Sequence, residues 1–172
     1  ARKFGFRYAT CDVNDLFSDP AVEAIVIATP HASHATLVAD ALKAGKHVFV
    51  EKPIAIDESQ LELVISAQSQ HPEQILRIGY NRRFSPMVNK IKSFMEGRGP
   101  ILAHYRINAG SLPAGHWVRE QGGRVVGEVC HFVDLLVYLT GELPISVSAT
   151  GLPSSVGDED IEVTLVHGEG SV

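Results

Sequence analysis

Lys52 stands between Glu51 and Pro53, directly after the short apolar run His47-Val48-Phe49-Val50. A residue that precedes proline is pushed to extended backbone and cannot slip into a helix. Its ammonium is therefore held over the end of that run as a fixed donor and positive charge, unless Glu51 and Lys52 are only a solvated loop pair. A second set of polar residues comes from a helical pattern over about Val125 to Thr140. At about 100° per residue, Val126, Val129, Cys130, Val133, Leu136 and Val137 form an apolar stripe, and Glu128, His131, Asp134 and Tyr138 line another face. His131 and Asp134 are three apart and can touch. A carboxylate beside an imidazole fixes its tautomer and raises its basicity, which a general base at neutral pH requires. The same pair also serves elsewhere as a plain surface or interhelix contact. Cys130 points about 100° away from His131, into the apolar stripe, which argues against a Cys/His nucleophile. His31 and His34 have a spacing open to metals, but no third ligand stands at a nearby spacing, so no metal is expected.

The elements that must carry these residues read as strands alternating with helices. Ala24 to Ala28 (AIVIA) is a continuous apolar run of the kind found in a parallel strand covered on both faces, and Thr29-Pro30 ends it. Ser33 to Ala44 then spaces Ala35, Val38, Ala41 and Leu42 helically before Gly45, and His47 to Val50 is a second strand, completing a β-α-β unit. In an open parallel sheet, ligands bind outside the carboxyl ends of the strands, where Thr29-Pro30-His31 and Glu51-Lys52-Pro53 fall. Asp57 with Gln60 forms a cap for a helix through Leu61, Val64, Ile65 and Gln68, His71-Pro72 closes it, and Gln74 to Gly79 is a third buried strand. Phe6 to Thr10 reads as a further short strand, with a short helix near Val13 to Phe17. After Gly79 the pattern changes. Ser85-Pro86 opens a helix that turns Val88, Ile91 and Met95 inward and stops at Gly97. Ile101 to Asn108 alternates strictly, as a half-exposed antiparallel strand does, and so do Ile145 to Thr150 and Ile161 to Leu165. The fold class expected is α/β: a partial doubly wound parallel sheet over residues 1–80, then an α+β unit with an open, mainly antiparallel sheet over residues 81–172.

Composition removes several functions. The 172 residues are 45% hydrophobic and 20% charged, with a net charge of −5, the wrong sign for neutralising nucleic-acid phosphates or anionic membranes. No apolar run approaches the roughly 18 residues of a membrane span, and residues 1–7 lack the apolar core of a signal peptide. The expectation is a cytoplasmic protein with a small-molecule ligand. Cys11 and Cys130 suit neither a disulfide framework nor a zinc site.

The order of motifs carries more. Thr29-Pro30-His31-Ala32-Ser33-His34 is followed by ALKAGKHVFV over 41–50, by Glu51-Lys52-Pro53, by Gly79-Tyr80-Asn81-Arg82-Arg83-Phe84-Ser85-Pro86, and by Gly122-Gly123 ahead of His131-Phe132-Val133-Asp134-Leu135-Leu136. This series strongly resembles the Gfo/Idh/MocA oxidoreductase family over most of residues 6–141. The resemblance implies an N-terminal Rossmann domain and a C-terminal α+β domain whose open sheet joins subunits into a homo-oligomer. It also implies NAD or NADP as cofactor and a sugar, sugar derivative or cyclitol as substrate. On that pattern Lys52 contacts nicotinamide and the substrate hydroxyl, and His131 transfers the proton with Asp134 or Glu128 in support. Thr29, Pro30, Glu51, Asn81 and Arg82 lie near the cofactor, and Trp117, Arg119 and Glu128 near the substrate. A non-catalytic sugar- or dinucleotide-sensing regulator and an NAD-dependent glycosidase are the rival readings of the same motifs.

Two departures from the family pattern stand out. Many relatives carry an Asp four residues before the histidine; here that position is Gly127, and the neighbouring acid is Glu128. No Gly-x-Gly-x-x-Gly turn occurs anywhere in the chain, since Gly168-Glu169-Gly170 and Gly122-Gly123 do not join a buried strand to a helix. In the family that turn precedes the point where this sequence begins. A truncated piece of a longer protein is the corresponding expectation, with weak dinucleotide binding by these residues alone.

Overall fold

Three short runs rich in β-branched residues, separated by helices long enough to return the chain to the same sheet edge, make parallel pairing the accessible arrangement. The computed structural model describes residues 2–110, 113, 115–151 and 160–168. It divides into two units, Ala1–Gly79 and Tyr80–Val172.

In the first unit, helix α1 (Asn14–Ser18) leads to strand β1 (Ala24–Ile27), helix α2 (His34–Lys43), strand β2 (His47–Val50), helix α3 (Glu58–Gln70) and strand β3 (Leu76–Ile78). The strands lie in the order β1-β2-β3, all parallel, with Ala24 opposite His47 and Val50 opposite Ile78. Ile25, Ile27, Val48 and Val50 point to one face and are buried against Ala35, Val38, Ala41 and Leu42 of α2 and Val64 and Ala67 of α3. The opposite face is open, with Val26 71% exposed. The apolar run of β1 is thus covered on one face rather than two, because α2 and α3 pack on the same side. Asp57 caps α3 by accepting from the Gln60 amide at 2.8 Å, while the Gln60 side chain accepts from the Ile56 amide at 3.2 Å. That amide bond holds the Asp57 carboxyl below its ordinary range.

Residues 6–10 form no strand. A strand needs a ladder neighbour, and this stretch has local side-chain bonds in its place: the Tyr8 hydroxyl donates to Asp19 at 2.9 Å and the Thr10 hydroxyl bonds Asp15.

The second unit holds helix α4 (Pro86–Met95), helix α5 (Cys130–Thr140) and strands β4 (Pro144–Gly151) and β5 (Ile161–His167), the strands paired antiparallel with an irregularity between Pro144 and Ser146. Residues 101–108 are not a strand, against the expectation from their alternation. β4 and β5 pair with each other, and an alternating segment without a ladder partner stays irregular. Residues 152–159 lie outside the described residues. α4 buries less than its pattern promised, since Ile91 is largely exposed. Polar contacts hold it to α5: Lys92 donates to the Tyr138 carbonyl at 2.7 Å and lies 3.9 Å from that ring's centroid, and the Tyr138 hydroxyl donates to Asn89 at 2.9 Å. Gly141, in the left-handed region, ends α5 with its amide on the Val137 carbonyl at 2.9 Å. Buried His167 of β5 bonds through Nδ1 to the Glu142 carbonyl at 2.9 Å, next to the end of that helix.

The helix expected from Val125 onward is α-helical only from Cys130. Val125–Val129 is a π-type segment, which widens the turn and shifts the register of everything before Cys130. The fully buried residues are Gly127, His131, Phe132 and Leu135, and Val126, Val129 and Val133 of the expected stripe are half-buried.

Candidate active site

At the carboxyl ends of β1 and β2 the first unit brings together Thr29, Pro30, Glu51 and Lys52. The Glu51 amide donates to the Ile27 carbonyl at 2.9 Å, which sets the start of the Lys52 segment beside the end of β1. Lys52 is half-buried and joined to buried Pro53 by a cis peptide bond. His34, wholly buried, lies beneath both segments, its Nε2 2.8 Å from the Thr29 carbonyl and its Nδ1 2.7 Å from the Pro53 carbonyl. The Ser33 hydroxyl donates to the Pro30 carbonyl at 2.8 Å, which spends its only proton, so the Thr29 hydroxyl is the donor in the 2.7 Å contact with Ser33. Glu51 turns its carboxylate toward Gly79, where a Cβ would come within 3.1 Å of it.

In the second unit, α5 presents His131 on its buried face, with Nδ1 out of reach of solvent. The Tyr80 ring meets the imidazole edge to face, with centroids 6.3 Å apart. Burial, and then the neighbouring Cys130 thiol and Asp134 carboxylate, push the Tyr80 hydroxyl up to about 12. It remains a neutral hydrogen-bonding group at any physiological pH. Both Asp134 oxygens accept from Arg83, one from Nε at 3.0 Å and the other from Nη2. That bidentate pair raises the Arg83 guanidinium above its ordinary value. Arg82 lies over the Phe132 ring at 4.5 Å and reaches the Tyr105 hydroxyl at 3.4 Å. Two consecutive arginines therefore fasten the segment after β3 to both sides of His131 on α5.

The remaining residues singled out by the sequence are on the surface of the second unit. Trp117 and Arg119 belong to a 3₁₀ turn, Trp117–Glu120, in which Trp117 stacks on His116 at 5.9 Å and Arg119 donates to the Pro113 carbonyl at 3.3 Å. Glu128 is exposed within the π-type segment, and Asn81 is exposed ahead of the Arg82–Phe84 turn. Gly127, on the buried face one turn before His131, brings no carboxylate to that turn. Tyr80 and Arg83 had no role assigned from the sequence, although both stand in the quoted Gly79–Pro86 motif. The 51-residue separation of Arg83 from Asp134 leaves no periodic signal to find.

Known proteins match this arrangement. The model of the oxidoreductase family with an NAD-binding Rossmann fold, GFO_IDH_MocA, matches residues 1–80. An uncharacterized oxidoreductase of Bacillus subtilis, YrbE, is 34% identical over 167 residues, covering 92% of this chain and 48% of its own length. Residues 1–80 belong to the NAD-binding Rossmann domain of the Gfo/Idh/MocA family. An inositol 2-dehydrogenase of Rhizobium meliloti is 30% identical over 164 residues, 92% of this chain and 49% of that protein. The crystal structure of an NAD-binding protein from Listeria innocua superposes with a TM-score of 0.79 at 26% identity, over 99% of this chain and 51% of the other. The chain spans about half the length of the relatives it matches. Within it, the parallel strand ends, the exposed Thr29 and the half-buried Lys52 fit the nicotinamide end of a dinucleotide, while no glycine turn is present for the pyrophosphate.

Proposed function

We propose that this chain carries the nicotinamide-end and proton-transfer residues of an NAD(P)-dependent dehydrogenase that acts on a hydroxyl of a sugar, sugar derivative or cyclitol. The observation that supports this most is that half-buried Lys52 lies at the carboxyl end of β2, in a segment whose Pro53 carbonyl shares the buried His34 ring with the Thr29 carbonyl after β1. When bound, the nicotinamide supplies the hydride acceptor. Lys52 steadies the substrate oxygen as negative charge develops on it. His131 takes the hydroxyl proton. Asp134 acts at one remove, holding α5 through Arg83, and Tyr80 orients the His131 ring and shields it from water. Thr29, Pro30, Glu51, Asn81 and Arg82 stand on the cofactor side, and Trp117, Arg119 and Glu128 on the substrate side. Incubation of the intact protein with NAD⁺ or NADP⁺ and a panel of inositols and sugars tests the reading. Nicotinamide reduction with at least one polyol is expected; none with any member of the panel overturns it.

A further inference from the structure

Gly79, directly after β3, is buried on a backbone that other residues can adopt, since its φ lies outside the left-handed region. What a larger residue would lack there is space. A Cβ at position 79 would stand 3.1 Å, 3.2 Å and 3.3 Å from Oε2, Cδ and Oε1 of Glu51, so it would meet the whole carboxylate. All three distances fall inside the roughly 3.5–4.0 Å of a relaxed non-bonded contact. Strand register gives the cause. Phe49 lies opposite Arg77 and Val50 opposite Ile78, and the Gly79 amide donates to the Val50 carbonyl at 2.8 Å, so Glu51 and residue 79 fall opposite each other one step on. Opposite residues of a parallel pair leave the sheet on the same face, with the strands only about 4.8 Å apart. By alternation from buried Val50, that is the open face of the sheet, where Val26 lies exposed.

With a side chain at 79, two neighbours would stand side by side and Glu51 would extend away from the sheet. With glycine, its carboxylate lies down across the end of β3. The Glu51 and Gly79 amides are both held, on the Ile27 and Val50 carbonyls at 2.9 Å and 2.8 Å. A substitution at 79 therefore moves the Glu51 side chain rather than either strand. We propose that Gly79 is a positioning residue for Glu51: its missing side chain lets the carboxylate lie across the carboxyl ends of β2 and β3, as an acceptor for hydrogen-bond donors of the bound cofactor. That Glu51 faces the cofactor rests on the function proposed above; the dependence of the carboxylate's place on Gly79 does not.

The test has a structural arm and a binding arm. In a crystal structure of the intact protein carrying Gly79→Ala, the Glu51 carboxylate should lie about 0.5–1 Å or more from its place in the unaltered protein, with β2 and β3 unmoved. A carboxylate left in place overturns the proposal. Tm should stay within about 3 °C, because the group displaced is the far end of a flexible side chain. If Gly79→Ala does not fold, adding Glu51→Ala removes the obstructing group and should restore folding; failure to do so overturns the proposal. For the binding arm, the intact protein is titrated with NAD⁺ and NADP⁺. Gly79→Ala should raise the Kd of the tighter-binding cofactor about tenfold or more, as loss of one charge-assisted hydrogen bond does. Its KM should rise in step, with kcat for polyol oxidation within about twofold; a loss confined to kcat contradicts the binding role. In a Glu51→Ala background the same substitution should change Kd by less than about twofold, since no carboxylate remains to be positioned. Where Glu51→Ala weakens binding, an unchanged Kd for Gly79→Ala, or an equal loss in both backgrounds, overturns the proposal. If Glu51→Ala binds cofactor as tightly as the unaltered protein, the placement of Glu51 on the cofactor side fails, and the crystallographic displacement decides the role of Gly79 by itself.

Discussion

Tyr80 and His131 meet on the buried side of α5, and burial there sets the state of the Tyr80 hydroxyl. Because the Tyr80 hydroxyl is pushed up to about 12 from 10 in an unfolded chain, folding keeps a proton there that the unfolded chain releases. The associated stability is fully present below pH 10 and is lost as pH rises toward 12. Urea midpoints at pH 9 and pH 11 should therefore fall more steeply for the unaltered protein than for Tyr80→Phe, by roughly 1–2 kcal/mol after allowance for partial exposure. Arg83 and Asp134 form the other decisive pair. The Asp134 side chain is 8% exposed and that of Arg83 is 33% exposed, so the two partners are unequal when orphaned. Arg83→Met strands a buried carboxylate and should cost about 2–4 kcal/mol, whereas Asp134→Asn leaves a guanidinium that can turn to water and should cost about 1–2 kcal/mol. Urea unfolding of both single variants and the double variant measures this. The double variant should be less unstable than the sum of the singles by about 1–3 kcal/mol. Additive losses would show that the two residues do not act as a pair.

Elements place these residues through a few backbone decisions, of which Gly122 is the sharpest. Its φ is +87°, and a Cβ there would meet the Val126 side chain at 2.8 Å, whereas Gly123 at +62° has open space around it. Gly122→Ala should therefore cost about 2–4 kcal/mol, left-handed strain plus a clash at the entrance to the π-type segment, and Gly123→Ala about 1–2 kcal/mol from strain alone. Thermal unfolding of the two variants gives the order directly; equal losses would contradict it. The same elements show what was legible beforehand. Ala35, Val38, Ala41 and Leu42, read as the inward face of α2, are all fully buried, and the Asp57 cap is in place, because each depends on spacing within one helix. The supposed strands at 6–10 and 101–108 failed because alternation reports a face but not a ladder neighbour. The stripe read over Val126 to Val137 is half-buried rather than the core face of α5, and its Val126 and Val129 fall in the π-type segment, outside the register of a regular helix. Lys52 and His131 were singled out from local type and motif, and their roles belong to the proposed function. The Arg83–Asp134 bond and the His34 contacts with the Thr29 and Pro53 carbonyls required the chain's tertiary course.

At the scale of the whole molecule, the proposed function draws on both units, since Lys52 belongs to the first and His131 to the second. The dinucleotide's pyrophosphate is ordinarily held by backbone amides of a glycine turn at a helix start, and these 172 residues contain no such turn. Calorimetric titration of the 172-residue chain with NAD⁺ and NADP⁺ should accordingly show binding no tighter than about millimolar, since each missing charge-assisted bond is worth about 1.5–3 kcal/mol. Micromolar binding would reveal a phosphate site elsewhere in the chain. The central claim is that Lys52 and His131 act on one substrate hydroxyl. It is tested most directly by steady-state nicotinamide reduction in the intact protein, with the unaltered form, Lys52→Ala and His131→Ala compared at saturating polyol and cofactor. Each substitution should lower kcat by about 10²-fold or more while circular dichroism and Tm stay near those of the unaltered form; a native rate in either folded variant would contradict the account.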